Sequence, residues 1–157
     1  MSRCSGTALA VLLVWSAAAP GGDEQKADQV EVEKELQRLQ GAWEQVSIEA
    51  NGQKQGFARG QAPLFIIRGD GYTVEVAGKV LERGRLKMYP VTNPRQSDLI
   101  VQGGTGKPRV YPGIYEITGD ELRTCFTRDG GARPTTFIAA AESGFSVAVY
   151  RRVSPKK

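Results

Sequence analysis

Short runs of β-forming residues, separated by turn residues every ~8–12 positions, dominate the chain from Trp43 onward. This spacing is typical of a β-sandwich or barrel and differs from an alternation of strands and helices. About eight or nine strands are predicted, at Ala42–Glu49, Pro63–Arg68, Tyr72–Ala77, Val80–Tyr89, Asp98–Gln102, Tyr111–Thr118, Glu121–Thr127, Thr135–Ala140 and Phe145–Arg152.

The turns between these strands indicate how the strands connect. Gly69-Asp70-Gly71, Ala77-Gly78-Lys79 and Gly119-Asp120 combine residue types that tolerate positive φ, so each is predicted to be a tight hairpin turn. Sequential hairpins form a meander, and closing a meander removes exposed strand edges. The sequence therefore predicts an all-β fold, an up-and-down antiparallel barrel of about eight strands with a short N-terminal helix.

The helix is predicted over Val30–Gln40, where apolar residues at 32, 36 and 39 form one narrow stripe that Gly41 ends. We expect it to cover one end of the barrel as a lid or plug. The acidic residues on its other face are expected to be solvated, and the polar stretch 21–28 is not expected to be ordered.

The N-terminal segment 1–22 has the layout of a secretory signal: Arg3, an apolar run over Ala8–Val14 and small residues to Ala19. The run is shorter than the ~20 residues of a membrane-spanning helix, which favours a cleaved signal over a permanent anchor. We expect an exported protein, periplasmic or extracellular, with no stable membrane span after cleavage. The predicted parts are a signal peptide (1–22), an acidic leader and short helix (23–40), a barrel domain (41–153) and a basic tail (154–157).

The residue types present exclude several chemistries. The chain contains no histidine, which excludes catalysis by cysteine–histidine or serine–histidine pairs. Cys4 lies in the signal, so Cys125 remains alone, without a disulfide and as an expected buried thiol. The Gly103–Lys107 run resembles a phosphate loop, but Pro108 stands where serine or threonine is required. We expect no catalytic residue, cofactor or metal, and hence a protein that is not an enzyme.

Charge is unevenly spread along the chain. Residues 23–40 carry six acids and three bases, a net −3, whereas residues 41–157 carry 17 bases and 11 acids, a net +6. This balance is too mild to indicate a nucleic-acid partner. Arg83, Arg85 and Lys87 follow one face of the predicted fourth strand, either as a solvated outer face or as a docking stripe. The polar loop around Arg133 is expected to be solvated, with binding of an anion by this arginine as the alternative.

Alternation along the strands assigns the opposite faces to the interior. The predicted inward residues are Phe65, Ile67, Tyr72, Val74, Val76, Leu86, Met88, Tyr115, Ile117, Leu122, Thr124 and Phe126. Their aromatic members Phe65, Tyr72, Tyr115 and Phe126 are the candidates for lining a ligand site.

The run Gly41-Ala42-Trp43 resembles the Gly-x-Trp entry to the first strand of lipocalin-like barrels. That resemblance implies a basic side chain from the last strand over the tryptophan, and Arg152 is the expected partner of Trp43, with Arg151 as the alternative. Arginine suits this place because its planar cation stacks on indole and still donates hydrogen bonds.

Over residues 36–152 the chain also resembles an uncharacterised family of planctomycete secreted proteins. The segments that carry this resemblance are 39–43, 69–73, 113–122, 125–126 and 133–135. It implies a lipocalin-like fold and an extracytoplasmic location, with no established activity. Thr124 departs from the larger aliphatic residue expected there, which predicts a more polar interior.

Two functions follow as hypotheses. The barrel of a monomer binds a small apolar or mixed ligand, as barrels of about eight strands do. Alternatively, the barrel is filled by its own side chains, and its basic outer face, including Arg83, Arg85 and Lys87, binds an envelope component or a protein partner.

Overall fold

The structure is a computed structural model that describes residues 22–58, 60–103 and 106–154, with side chains from residue 26 onward. The predicted signal peptide lies outside the described residues except for Gly22. Residues 104–105 of the glycine-rich loop and 155–157 of the predicted basic tail also lie outside them. Among the described residues, no helix combines the length and the hydropathy of a membrane span.

Within these residues the chain forms one helix and nine strands. The helix α1 spans Gly22–Leu39. The strands are β1 (Gly41–Ala50), β2 (Gln53–Gly56), β3 (Leu64–Arg68), β4 (Gly71–Val76), β5 (Lys79–Tyr89), β6 (Gln96–Val101), β7 (Arg109–Thr118), β8 (Glu121–Thr127) and β9 (Phe145–Arg152).

Eight of the strands close into a barrel, which confirms the predicted fold class. Strands β3 to β9 pair with their neighbours in chain order, all antiparallel, and β1 pairs with both β3 and β9. Trp43 is thus the register partner of Phe65 on one side and of Arg152 on the other. The remaining strand, β2, pairs with the far half of β1 as a hairpin.

The prediction of a strand over Thr135–Ala140 is wrong, and strand β2 was not predicted. Residues 135–140 form no strand because β8 pairs directly with β9, leaving no edge beside them to join. They lie instead across the outside of the barrel. There, Phe137 and Ala139 cover outward side chains of β7, β8 and β9, namely Ile114, Cys125 and Val147.

Arg133 holds this covering segment in place. The prediction that the loop around it is solvated is therefore wrong at this residue. Its Nη1 donates to the carbonyl oxygens of Ser97 (2.9 Å) and Gly113 (2.7 Å), and its Nη2 lies 2.6 Å from Oδ1 of Asp98. Its guanidinium also stacks over the ring of Tyr89, 5.5 Å from the centroid. The half-buried cation is therefore satisfied by fixed partners on the barrel wall.

Helix α1 begins earlier than predicted and includes part of the stretch expected to lack order. Residues 26–29, Lys-Ala-Asp-Gln, contain neither glycine nor proline, so nothing in them stops a helix from extending. The apolar stripe behaves as predicted. Val32, Leu36 and Leu39 pack on the core cluster, so the helix closes one end of the barrel.

Trp43 and Arg152 join the helix to the barrel. The indole Nε1 donates to the carbonyl oxygen of Leu39 at 2.8 Å. The Arg152 guanidinium lies 4.1 Å from the Trp43 ring centroid and donates to the carbonyl oxygens of Gln40 (2.8 Å) and Arg38 (2.6 Å). Carbonyl groups at a helix C-terminus have no partner within the helix, and a cation there is favourable. This end of the barrel and the end of α1 thus form one unit.

We predict that Arg152→Ala lowers the free energy of unfolding by about 2–4 kcal/mol, because it removes the stacked cation and both charge-assisted hydrogen bonds. Arg151→Ala is the matched control, since Arg151 is exposed one residue earlier in β9. Urea denaturation followed by circular dichroism measures both. Equal stability of the two variants would contradict the assigned role.

We also predict that the Cys125 thiol of the native protein reacts slowly with dithiobis(nitrobenzoate) at pH 8. Burial raises its pKa to about 11, so the reactive thiolate is scarce. Arg133→Ala should speed the reaction by about tenfold or more, because opening the covering segment exposes the thiol.

The background for this measurement is Cys4→Ser, which leaves a single thiol. The control is Arg128→Ala, an exposed arginine in the same connection between β8 and β9. Rapid stoichiometric labelling of the native protein would show that the thiol is not protected.

Candidate functional site

The inward side chains divide the barrel interior into two halves. At the α1 end they are fully buried, as for Trp43 (0 % exposed), Ile67 (1 %) and Leu122 (1 %). At the opposite end nine inward side chains are only half-buried, whereas Val101 (5 % exposed) and Ala148 (6 %) are buried. The nine are Ile48, Val74, Val76, Glu82, Leu99, Tyr111, Phe126, Ser146 and Tyr150. These half-buried residues face the barrel axis at the end remote from α1, and the region that they enclose is called the lumen below.

The four aromatic residues proposed as a lining fall in different places. Phe65 and Tyr115 are buried in the core cluster of the packed half. Tyr72 is also buried there, and its ring lies 5.3 Å from that of Phe65, centroid to centroid. Phe126 is half-buried toward the open end. Of the four residues, Phe126 alone is partly exposed, toward the end of the barrel remote from α1.

Two glycines make room for these rings. A Cβ on Gly84 would lie 2.7 Å from Cε1 of Tyr72, and a Cβ on Gly113 would lie 2.5 Å from Cε1 of Phe126. Each glycine is the register partner of the aromatic residue beside it. Each ring can thus lie flat against the neighbouring strand, and glycine in a strand commonly marks such a close approach.

Polar groups enter the lumen from three strands. Oη of Tyr72 donates to Oε1 of Glu82 at 2.8 Å. Burial, the hydrogen bond and the Glu82 carboxylate together raise the pKa of Tyr72 well above its ordinary value. Burial raises the pKa of Tyr150 to about 12, and the neighbouring Thr124 hydroxyl opposes this change. The phenols are consequently neutral donors at neutral pH, and Glu82 supplies a carboxylate.

A second polar cluster lies under the helix. Glu35 is only 5 % exposed, and its carboxylate lies 3.0 Å from Nη1 of Arg38 and 3.5 Å from Nη1 of Arg95. Burial and this carboxylate raise the pKa of Tyr115. The expected solvation of the helix acids is therefore wrong for Glu35. The signal was present in the spacing, because Glu35 is three residues after Val32 and four before Leu39, on the apolar stripe.

The basic row lies on the outer surface, and each member has different surroundings. Arg85 forms an ion pair with Asp70. Nζ of Lys87 lies 5.4 Å from the centroid of the Tyr89 ring. Arg83 lines a groove of about 310 Å³ together with Glu75. The row is thus interrupted by acidic and aromatic neighbours.

A larger groove also lies outside the barrel. It has a volume of about 910 Å³, and among its lining residues are Phe57, Leu64 and Arg151. In the part of the chain that the structure describes, no three side chains of a type that binds metals come together.

Comparison with protein families, with curated proteins and with solved structures finds no match for this chain. The candidate site is consequently argued from its own geometry. It consists of the inward-facing residues at the end of the barrel remote from α1, with Tyr72 and Glu82 deepest and with Tyr111, Phe126 and Tyr150 on the surrounding strands.

We predict that stability falls as pH rises above about 10. The folded-state pKa values of Tyr72, Tyr115 and Tyr150 are raised, so these phenols ionise in the unfolded chain first, near pH 10. Their stabilising contribution is complete below pH 10 and is lost as pH increases beyond it.

Urea midpoints between pH 8 and 11 and absorbance at 295 nm measure this effect. Tyr150→Phe should make the decline with pH less steep. Ionisation of all five tyrosines at pH 10.5 without loss of structure would contradict the assigned burial.

Proposed function

We propose that this protein binds a small, largely apolar ligand inside the barrel, in the half remote from α1. The observation that carries the proposal is the contrast between the two halves, because inward side chains at the open end keep surface that a filled barrel would bury. Barrels of about eight strands have room for one small ligand.

The chemistry of the lumen supports a ligand with an apolar body. Aliphatic side chains of Ile48, Val74 and Leu99 and the rings of Tyr111 and Phe126 supply most of its wall. Few polar groups interrupt it. Small-molecule sites combine a predominantly apolar and aromatic lining with a small number of placed polar groups.

Export is part of the proposal. The signal-like segment 1–22 supports a periplasmic or extracellular location, and the pairing of Trp43 with Arg152 supports the lipocalin-like assignment. A binding protein in that location would hold its ligand without help from a disulfide, since Cys125 has no partner thiol after the signal is removed.

The alternative function, docking through the basic outer face, has less support. Arg85 is already paired with Asp70, and Glu75 lies beside Arg83 in the same groove. Exposed pairs of this kind are weak and screened by salt.

The test uses N-phenyl-1-naphthylamine, a neutral apolar fluorophore whose emission rises when it leaves water. We expect saturable binding to the wild-type protein. Val74→Trp should weaken binding by about tenfold or more, because the larger side chain fills the lumen, and a tenfold loss corresponds to about 1.4 kcal/mol. Thr73→Trp, on the outer face of the same strand, should leave binding unchanged.

Circular dichroism and melting temperature establish that both variants fold. An equal effect of the two substitutions would place the fluorophore outside the lumen. Absence of saturable binding to the wild-type protein would reject the proposed function.

A further inference from the structure

Glu82 is an acidic side chain inside a mostly apolar lumen. The register partner of Glu82 is Val74, which lies on the inward face with Tyr72. The Glu82 carboxylate accepts a hydrogen bond from the Tyr72 hydroxyl. Among the described residues, no lysine or arginine is paired with it at ion-pair distance. A half-buried carboxylate with one neutral donor is incompletely compensated, since burying a charge is favourable only when it is paired.

Three tyrosines face the same side of the barrel wall as this carboxylate. Tyr72, Tyr111 and Tyr150 face the lumen by register, and Glu82 lies close enough to Tyr72 and Tyr150 to affect both phenols electrostatically. The Tyr150 ring also packs at 5.6 Å from Phe65. Aromatic faces attract cations, most strongly ammonium groups that have lost their water. The Glu82 carboxylate and the tyrosine rings therefore both favour a positively charged group beside them.

Two basic residues share a groove with Glu82, namely Arg83 on the outer face of β5 and Arg109 at the start of β7. The Arg109 side chain is exposed, and its guanidinium lies 5.9 Å from the centroid of the Tyr111 ring. It therefore lies nearer to solvent than the carboxylate. Both arginines are exposed and Glu82 is half-buried, so the deepest of the three charges is the negative one.

We infer that the lumen selects an amphiphile with a cationic ammonium group, seated between the Glu82 carboxylate and the tyrosine rings, and with an apolar chain along the rest of the wall. This inference rests on the proposed function and adds the chemical class of the ligand.

The test compares three ligands that share a ten-carbon chain: decyltrimethylammonium, decanol and decyl sulfate. Each displaces N-phenyl-1-naphthylamine from the full-length protein at concentrations below micelle formation. We expect decyltrimethylammonium to bind about tenfold or more tightly than decanol, and decyl sulfate to bind most weakly.

Glu82→Gln tests the assigned residue, and glutamine still accepts the Tyr72 hydrogen bond. It should abolish the preference for the cation, so that decyltrimethylammonium binds no more tightly than decanol. Glu75→Gln, on the outer face of the neighbouring strand, is the control and should keep the preference. Arg109→Gln should keep or strengthen it.

Persistence of the preference in Glu82→Gln would overturn the inference while leaving the proposed function intact. Strongest binding of decyl sulfate, lost in Arg109→Gln, would overturn it in favour of an anionic ligand. Failure of the fluorophore and all three amphiphiles to bind would reject the proposed function and this inference together.

Discussion

The stacking of Arg152 on Trp43 is the interaction on which the rest of the structure depends. One guanidinium caps the indole, donates to two carbonyl oxygens at the end of α1 and lies within 3.3 Å of the Asp120 carboxylate in the turn between β7 and β8. It thereby joins the first strand, the last strand and the helix. Since β1 and β9 are also the strands whose pairing closes the barrel, closure and capping occur at the same place.

Packing is concentrated at this end, and the opposite end is left open. The helix supplies Val32, Leu36 and Leu39 to the core, which completes a cluster around Trp43 and Phe65. No helix covers the other end within the described residues, so the side chains there remain partly accessible. The residues that stabilise the barrel are thus separate from those of the candidate site.

The barrel was predictable because its signals are local. Alternation in β3, β4 and β8 and glycine-rich turns specify strands, faces and hairpins without knowledge of the rest of the chain. The packing of the apolar stripe of α1 on the core was also predictable, from three residues at helical spacing. The placement of Trp43 beside Arg152 followed from a resemblance and not from spacing.

The less predictable features depend on contacts between residues distant in sequence. Residues 135–140 have the composition of a strand, but the pairing of β8 with β9 leaves them no partner. Arg133 is clamped by carbonyl oxygens of β6 and β7, which no local pattern reveals. The position of the candidate site likewise depends on which inward residues are not covered by helix α1. Alternation assigned Phe65, Tyr115 and Phe126 to the same face without showing that only Phe126 lies toward the opening.

One edge of β1 is divided between two partner strands, and this division bears on which parts of the barrel can change in sequence. Its first half pairs with β3 in the barrel wall, whereas its second half pairs with β2, a strand of four exposed residues. Insertions or substitutions around β2 would change the end of the barrel remote from α1 without disturbing the end that α1 closes. Sites that are far apart and share no partners act nearly independently on stability. The strands around β2 are therefore the part of the barrel that can change in sequence while the end covered by α1 is kept.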